Sequence, residues 1–212
     1  MTRLSDPSPR SAGQPDDAPG DAGTRIEQVP ADAESLRRRV LAVLLTGSDR
    51  PSDLAVGHFV GYTLEHGLSL NRLWAAWRGA QVIAAALVVP SPGRTAMLFV
   101  SPVVDPRDVP VVGRVVDAAC TGLERSSAAL IQALLEPGDA DQHSAVAAAG
   151  FAPLTDLLYM TRRAPRKPVP LKWQPDLRVD TYSDATHDLF ARAILASYQD
   201  TLDCPGLVGR RD

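Results

Sequence analysis

The chain has 212 residues, of which 45% are hydrophobic and 22% are charged, and its formal net charge at pH 7 is −3. This composition is typical of a globular protein, and the lack of a basic excess argues against nucleic acid or an anionic membrane as a partner. The longest apolar run, Val82 to Pro90, is far shorter than the roughly 18 residues that a membrane-spanning helix needs.

The first 23 residues, "MTRLSDPSPRSAGQPDDAPGDAG", are polar and rich in Pro, Asp and Gly. They have few apolar side chains to bury and no apolar signal core, so we predict a disordered tail over residues 1–23 and not a secretory signal. The two cysteines, Cys120 and Cys204, form no spaced framework. These features predict a protein of the reducing cytoplasm.

A strand and two helices are predicted next. "TRIEQV", beginning at Thr24, has a strand pattern, and two stretches with apolar residues at helical spacing follow, ended by Gly47 and Gly67. The spacing of the apolar residues then changes from a helical to a strand-like pattern. The segment "RLWAAWRGAQVIAAALVVPSPGRTAMLFVS" contains three apolar runs separated by "RGAQ" and "PSPGR", which predicts antiparallel hairpins. Its middle run, Val82 to Val89, is apolar at every residue, as in a strand covered on both faces.

A helix, a strand, a helix and a strand complete this pattern. They are a helix over residues 107–124, a buried strand "AALIQALLE", a short helix from Asp141 to Ala149, and the alternating segment "LTDLLYMTRR". The order of elements predicts an α/β (α+β) fold, with a mixed, mostly antiparallel sheet and helices on both faces.

The region beyond residue 163 has a different character. Residues 164–176 carry four prolines, which favours a linker. Residues 177–212 contain one strand pattern and one amphipathic helix, "ATHDLFARAILASYQDT". They are too few for an independent core, so we expect the beginning of a second, truncated domain.

The ordered set of motifs resembles the GNAT family of N-acetyltransferases over Thr24 to Arg163. "FVSP" resembles the V-x-P that begins the family's coenzyme motif, and "AAAGFAPL" followed by "LYMTR" resembles its fourth helix, Gly-Phe corner and closing strand. With "LIQALLEP" and the late "LDCPGL", the chain is similar to tandem GNAT proteins, which have the two-domain plan of mycothiol synthases. The domains expected from this resemblance are residues 24–163 and 177–212.

The resemblance implies that acetyl-coenzyme A lies along the strand that ends at Val100, with its pyrophosphate at the start of the next helix. The residues expected at the cofactor are Phe99, Val100, Ser101, Val103 and Arg107. A small-molecule amine substrate or a second GNAT domain is the expected partner. The family motif also has an Arg or Gln and two small residues, where this chain has Asp105, Asp108 and Pro110. Aspartate repels phosphate, and proline has no N–H to offer it.

The catalytic residues stay unassigned. Many family members carry a Tyr four residues before the Gly of the Gly-Phe corner, where its hydroxyl protonates the leaving thiolate, and here that residue is Val146. No metal site is expected, because no pair of histidines has the i, i+4 spacing of ligands on a helix. The resemblance therefore implies an acyl-coenzyme A-dependent N-acetyltransferase. We expect this chain to carry its N-terminal half, which is degenerate and weakly active or inactive. The alternative is a non-catalytic GNAT-fold binding or scaffolding domain.

Overall fold

The computed structural model describes residues 1–4, 23–50, 53–121, 123, 128–161, 163 and 179–199. The chain divides into two compact units, Met1–Pro153 and Leu154–Asp212. The strands of the described residues are β1 (Thr2–Leu4), β2 (Thr24–Gln28), β3 (Leu73–Arg78), β4 (Gln81–Ser91), β5 (Thr95–Val100) and β6 (Leu130–Ala133). The helices are α1 (Glu34–Thr46), α2 (Asp53–Glu65), α3 (Val109–Thr121), α4 (Ala140–Ala148) and α5 (His187–Ser197), and short 3₁₀ turns at Pro106–Asp108 and Asp184–Thr186 precede α3 and α5.

One sheet organises the first unit, with the strand order β1-β6-β5-β4-β3-β2. β5 and β6 pair in parallel, and the other neighbouring strands pair antiparallel. The two predicted hairpins are present, because β3, β4 and β5 follow each other as neighbours. The parallel pair arises because the chain leaves β5 through α3 before it returns as β6, the crossover that a parallel connection needs.

Strand β4 is covered on both faces, as its sequence predicts. Ala84, Ala86 and Val88 belong to the core formed with α3 and α4, whereas Ala85, Leu87 and Val89 belong to the core formed with α1 and α2. The alternation follows from the two-residue period of a strand. The predicted fold class, a mixed and mostly antiparallel sheet with helices on both faces, is confirmed.

The helices begin and end largely where the sequence places them. Gly47 adopts a left-handed conformation (φ 69°) at the end of α1, and its N–H donates to the carbonyl of Val43 over 2.8 Å. Pro110 lies in the first turn of α3, where a missing N–H costs nothing because that turn has no partner for it.

The N-terminus differs from the prediction. Disorder was expected from residue 1, but Thr2–Leu4 forms a strand on the outer edge of β6. The N-terminal ammonium donates to the carbonyl of Ala133 over 2.7 Å, and burial lowers the pKa of this group. A three-residue strand carries too little periodicity to be recognised in a polar segment. Residues 5–22 of the expected tail lie outside the described residues.

The second unit is described in part. Residues 154–161 form no strand, although "LTDLLYMTRR" predicts one, and the side chains of Leu158 and Met160 are 90% and 93% exposed. Both sides of β6 are already paired, with β5 and with β1, and the chain meets the outer edge of β1 only through the bridge between Thr2 and Ala152. The predicted helix is present as α5, whereas the proposed linker and residues 200–212 lie outside the described residues.

Candidate functional site

The junction between β5 and α3 is the candidate site. β5 and β6 pair from Thr95 with Leu130 to Leu98 with Ala133, and the pairing stops there. β5 continues to Val100 with β4 alone as its ladder partner, so the strand pairing has a gap on its far side, and the first turn of α4 reaches the end of β5 there. This gap and the loop to α3 are where the resemblance places coenzyme A.

The five predicted cofactor residues do not form one cradle. Phe99 lies on the side of α2, where its ring meets that of Phe59 edge to face at 6.1 Å. Val100 and Val103 are partly buried against the core that contains α3. Arg107 is on the surface, with 90% of its side chain exposed. The residues are neighbours in sequence, but their side chains point to different surroundings.

Ser101, the remaining member, is fully buried and extends the ladder to β4 with its side chain. Its N–H donates to the carbonyl of Ala85 over 2.9 Å, and its hydroxyl oxygen accepts the N–H of Ala85 over 3.1 Å. The hydroxyl thus replaces the main-chain carbonyl that would normally complete this pair. The carbonyl of Ser101 is consequently available to another donor.

That donor is Gln142, in the first turn of α4. Its Nε2 lies 3.2 Å from the carbonyl oxygens of both Val100 and Ser101. The residue is 9% exposed, and its own N–H donates to the carboxylate of Asp139, which caps the helix, over 2.9 Å. The main-chain acceptors at the end of β5 are therefore engaged by the protein itself.

The start of α3 is occupied in a similar way. One oxygen of the Asp105 carboxylate accepts the N–H of Arg107 over 3.0 Å, and the carboxylate also pairs with the Arg107 guanidinium at 2.6 Å. The side-chain hydrogen bond and then the main-chain one hold the pKa of Asp105 down at about 2. The same pairing raises the pKa of Arg107. A carboxylate therefore already sits at the helix start, where an anion is favoured.

A second ion pair closes this loop onto the sheet. Asp108, which is 9% exposed, accepts a hydrogen bond from the guanidinium of Arg78 at the end of β3 over 2.7 Å. The two carboxylates of the loop each have one arginine partner. Each arginine therefore already directs part of its guanidinium to a carboxylate of the same loop.

The position of the expected general acid carries no proton donor. Val146, a residue of α4, is fully buried in the core, and Phe151 is buried beside the left-handed Gly150. The chain turns at Gly150 and Phe151 as expected, but the valine side chain has no proton to donate and contributes only packing. The catalytic residues thus stay unassigned.

Three residues that define this junction were missed by the sequence reasoning: Gln142, Asp139 and Arg78. Asp139 and Gln142 have the spacing of a helix-capping pair, which is a readable signal for the start of α4. A capping pair, however, would predict that Gln142 bonds back to its own helix. Its actual partners are 41 and 42 residues earlier in the chain, and one sequence carries no signal for that contact.

Two other classes of site find no support in the part of the chain that the structure describes. No group of three or more His, Cys, Asp or Glu side chains is placed to hold a metal ion. In the same residues, no helix combines the length and hydropathy that crossing a bilayer requires.

Comparisons with known proteins give one structural likeness. The sequence matches no protein-family profile and no curated protein. The chain is similar to a solved structure named "Putative acetyltransferase from Agrobacterium tumefaciens str. C58", at 20% sequence identity and a TM-score of 0.44. The match covers 65% of this chain and 99% of that one.

Proposed function

We propose that this chain carries a degenerate domain of the acyl-coenzyme A-dependent N-acetyltransferase type, weakly active or inactive because its own side chains fill the coenzyme contacts. The observation that carries the proposal is the start of α3. There Asp105 accepts the N–H of Arg107 and pairs with its guanidinium. The Asp105 carboxylate is the group that a coenzyme pyrophosphate would have to displace.

Charge at the junction supports the proposal. A helix start attracts an anion through its free N–H groups and its dipole, but Asp105 and Asp108 already supply two negative charges that are paired with Arg107 and Arg78. A pyrophosphate entering this loop would break at least one ion pair and leave a carboxylate beside the phosphate. That exchange removes the electrostatic gain on which binding at a helix start depends.

Acid–base chemistry is also missing at the matching position. A transfer from a thioester needs a proton for the leaving thiolate, and a positioned donor contributes about 10²–10⁴-fold in rate. The residue at the family's acid position is the buried Val146. Any residual transfer would then depend on water, which supports weak activity or none.

The alternative, a non-catalytic binding or scaffolding domain, is favoured by α5. Leu189 and Ile194 on this helix are 47% and 51% exposed, and a short helix with exposed apolar side chains needs a packing surface to be stable. A second GNAT-like domain in the reducing cytoplasm is the partner that we propose. On this view the chain acts as a packing partner, and acetyl-coenzyme A is not its ligand.

Calorimetric titration of acetyl-coenzyme A into the full chain tests the proposal. We expect no saturable binding with a Kd below about 1 mM, equivalent to about −4 kcal/mol. A micromolar Kd would overturn the proposal. In that case Arg107→Ala should weaken the binding, and Arg25→Ala, which removes the partner of Glu27 on β2, serves as the matched control.

A further inference from the structure

The outer face of α2 carries large apolar side chains that are exposed to solvent. Leu54 and Leu64 on this face are 72% and 77% exposed, whereas Val56 and Thr63 on the opposite side of the helix are buried. The helix therefore packs on the first unit with one side only. Exposed apolar side chains that are grouped on one element, and not scattered singly, mark an interaction surface.

Two glycines lie between the leucines on the same face. Gly57 and Gly61 are exposed, and a Cβ added at either would meet no atom of the described residues within 4 Å. Gly113 of α3 is different, because a Cβ there would lie 2.9 Å from the carbonyl oxygen of Ala145. Close packing among the described residues thus explains Gly113 but not the two glycines of α2. Glycine is unfavourable inside a helix, and it allows another backbone to approach closely.

The pattern on this face is symmetric about the middle of the helix. The leucine–glycine stripe consists of residues spaced three, four and three positions apart: Leu54, Gly57, Gly61 and Leu64. This is the spacing of the seam between two packed helices, and it has the same order when read from either end. An isologous interface needs one patch that complements itself under a two-fold rotation. In two antiparallel copies of α2 that cross at the glycines, Leu54 of one copy lies level with Leu64 of the other.

The charge at the end of α2 favours the antiparallel arrangement. Glu65 is exposed at the last position of the helix, and the last turn contains no basic residue. In an antiparallel pair, Glu65 of one copy lies beside the start of α2 in the other, where the helix dipole favours a carboxylate. The two Glu65 residues are then about 18 Å apart along the helix axis, at 1.5 Å per residue. A parallel pair would instead bring the two carboxylates together at the negative ends of both helices.

We propose that α2 forms a homodimer interface, in which two copies of this chain pack antiparallel across a two-fold axis through the leucine–glycine stripe. Two helices of 13 residues each cover less area than a standard interface, which buries about 1,600 Å² in total. The interface therefore belongs to the weak class, with a Kd between about 10 μM and 1 mM. The dimer is independent of the proposed function, because the junction between β5 and α3 takes no part in it.

Sedimentation equilibrium of the full chain, from about 10 μM to 1 mM, measures this association. Leu64→Lys places a charge in the stripe and should weaken it at least about tenfold. Leu195→Lys is the matched control, because it changes a 61% exposed leucine of α5 and should leave the association unchanged. Gly61→Ala separates association from folding. The added methyl group favours the helix but holds the two copies apart, so this variant should be at least as stable as the wild type and associate less.

A mixing experiment tests the antiparallel register. Leu54→Lys and Leu64→Glu should each weaken association alone, and an equimolar mixture should regain most of it, because the new lysine of one copy then lies level with the new glutamate of the other. A wild-type chain that is monomeric up to about 1 mM would overturn the proposal, as would a Leu64→Lys variant that associates like the wild type. Loss of association in Leu195→Lys alone would place the contact on α5 and would also overturn it. A mixture that associates no better than its components would overturn the two-fold arrangement.

Discussion

The side-chain amide of Gln142 donates to the carbonyl of Ser101 over 3.2 Å, and this contact joins the first turn of α4 to the end of β5. It links residues 41 positions apart in the chain at the point where the parallel pairing of β5 with β6 ends. The contact therefore has two consequences. It satisfies buried acceptors of the core, and it fills the place beside β5 where the pairing with β6 has ended.

The first prediction concerns the stability that Gln142 provides. Gln142→Ala removes the donor to two carbonyls, so we expect a loss of about 1–3 kcal/mol in the free energy of unfolding. Urea denaturation measures this change. Ser144→Ala, at an exposed position of α4, should change it by less than about 0.5 kcal/mol. Equal effects of the two substitutions would show that the Gln142 contacts contribute nothing.

The second prediction concerns Ser101. Ser101→Ala removes the acceptor for the N–H of Ala85 and leaves that N–H buried, which should cost about 1–3 kcal/mol. Ser69→Ala, in an exposed turn where the hydroxyl accepts from Asn71, is the matched control and should cost much less. A neutral Ser101→Ala would mean that the main-chain carbonyl turns back to Ala85.

The part of the fold that the sequence predicts correctly is the part with clear periodicity. β4 shows this best, because an apolar residue at each position from Val82 to Val89 requires two covering layers. The strand predicted within residues 154–163 was wrong for the described residues 154–161 for a tertiary reason. Alternation indicates that a segment could form a strand, but it does not indicate which place in the sheet is free, and Thr2–Leu4 occupies the place beside β6.

The candidate site was predictable in outline and not in detail. The departures at Asp105 and Asp108 were readable from the sequence, and the structure places both carboxylates at the turn before α3. Their arginine partners differ in predictability: Arg107 is two residues from Asp105, whereas Arg78 reaches Asp108 from β3. Gln142 was missed because its contacts depend on how α4 packs, which a single sequence does not encode locally.

The third prediction concerns the titration of Asp105. Its pKa in the folded chain is about 2 because Arg107 donates to the carboxylate, against about 3.9 for an aspartate in an unfolded chain. A carboxylate with a lowered pKa stabilises the fold above the unfolded pKa, and that contribution is lost as the pH falls from about 4 through about 2.

Carbon-detected NMR titration of the Asp105 carboxyl measures this pKa directly. Arg107→Ala should raise it towards about 3.9, whereas Arg94→Ala, in the exposed turn at the opposite end of β5, should leave it unchanged. Denaturation of Asp105→Asn at several pH values should lack the component that the wild type loses between about pH 4 and pH 2. A wild-type pKa near 4 would contradict the ion pair.

The fourth prediction compares two helix glycines. A Cβ added at Gly113 of α3 would lie 2.9 Å from the main-chain oxygen of Ala145, whereas one added at Gly57 of α2 meets nothing within 4 Å. Gly57→Ala should raise the free energy of unfolding by up to about 1 kcal/mol through helix propensity. Gly113→Ala should lower it by about 1–3 kcal/mol, because α4 must move away from α3. Thermal or urea unfolding checks the opposite signs, and a stabilising Gly113→Ala would contradict the close packing that places Gln142.

The most direct test of the account is an NMR titration of the wild-type chain with acetyl-coenzyme A. The resonances to follow are the main-chain amides of Arg107 and Asp108 and the side-chain amide of Gln142, because these report on the helix start and on the gap beside β5. If the protein's own side chains fill both places, these resonances will show no saturating shift up to about 1 mM coenzyme. Saturating shifts of all three resonances with a micromolar Kd would show that the coenzyme displaces Asp105 and Gln142, and would contradict the account.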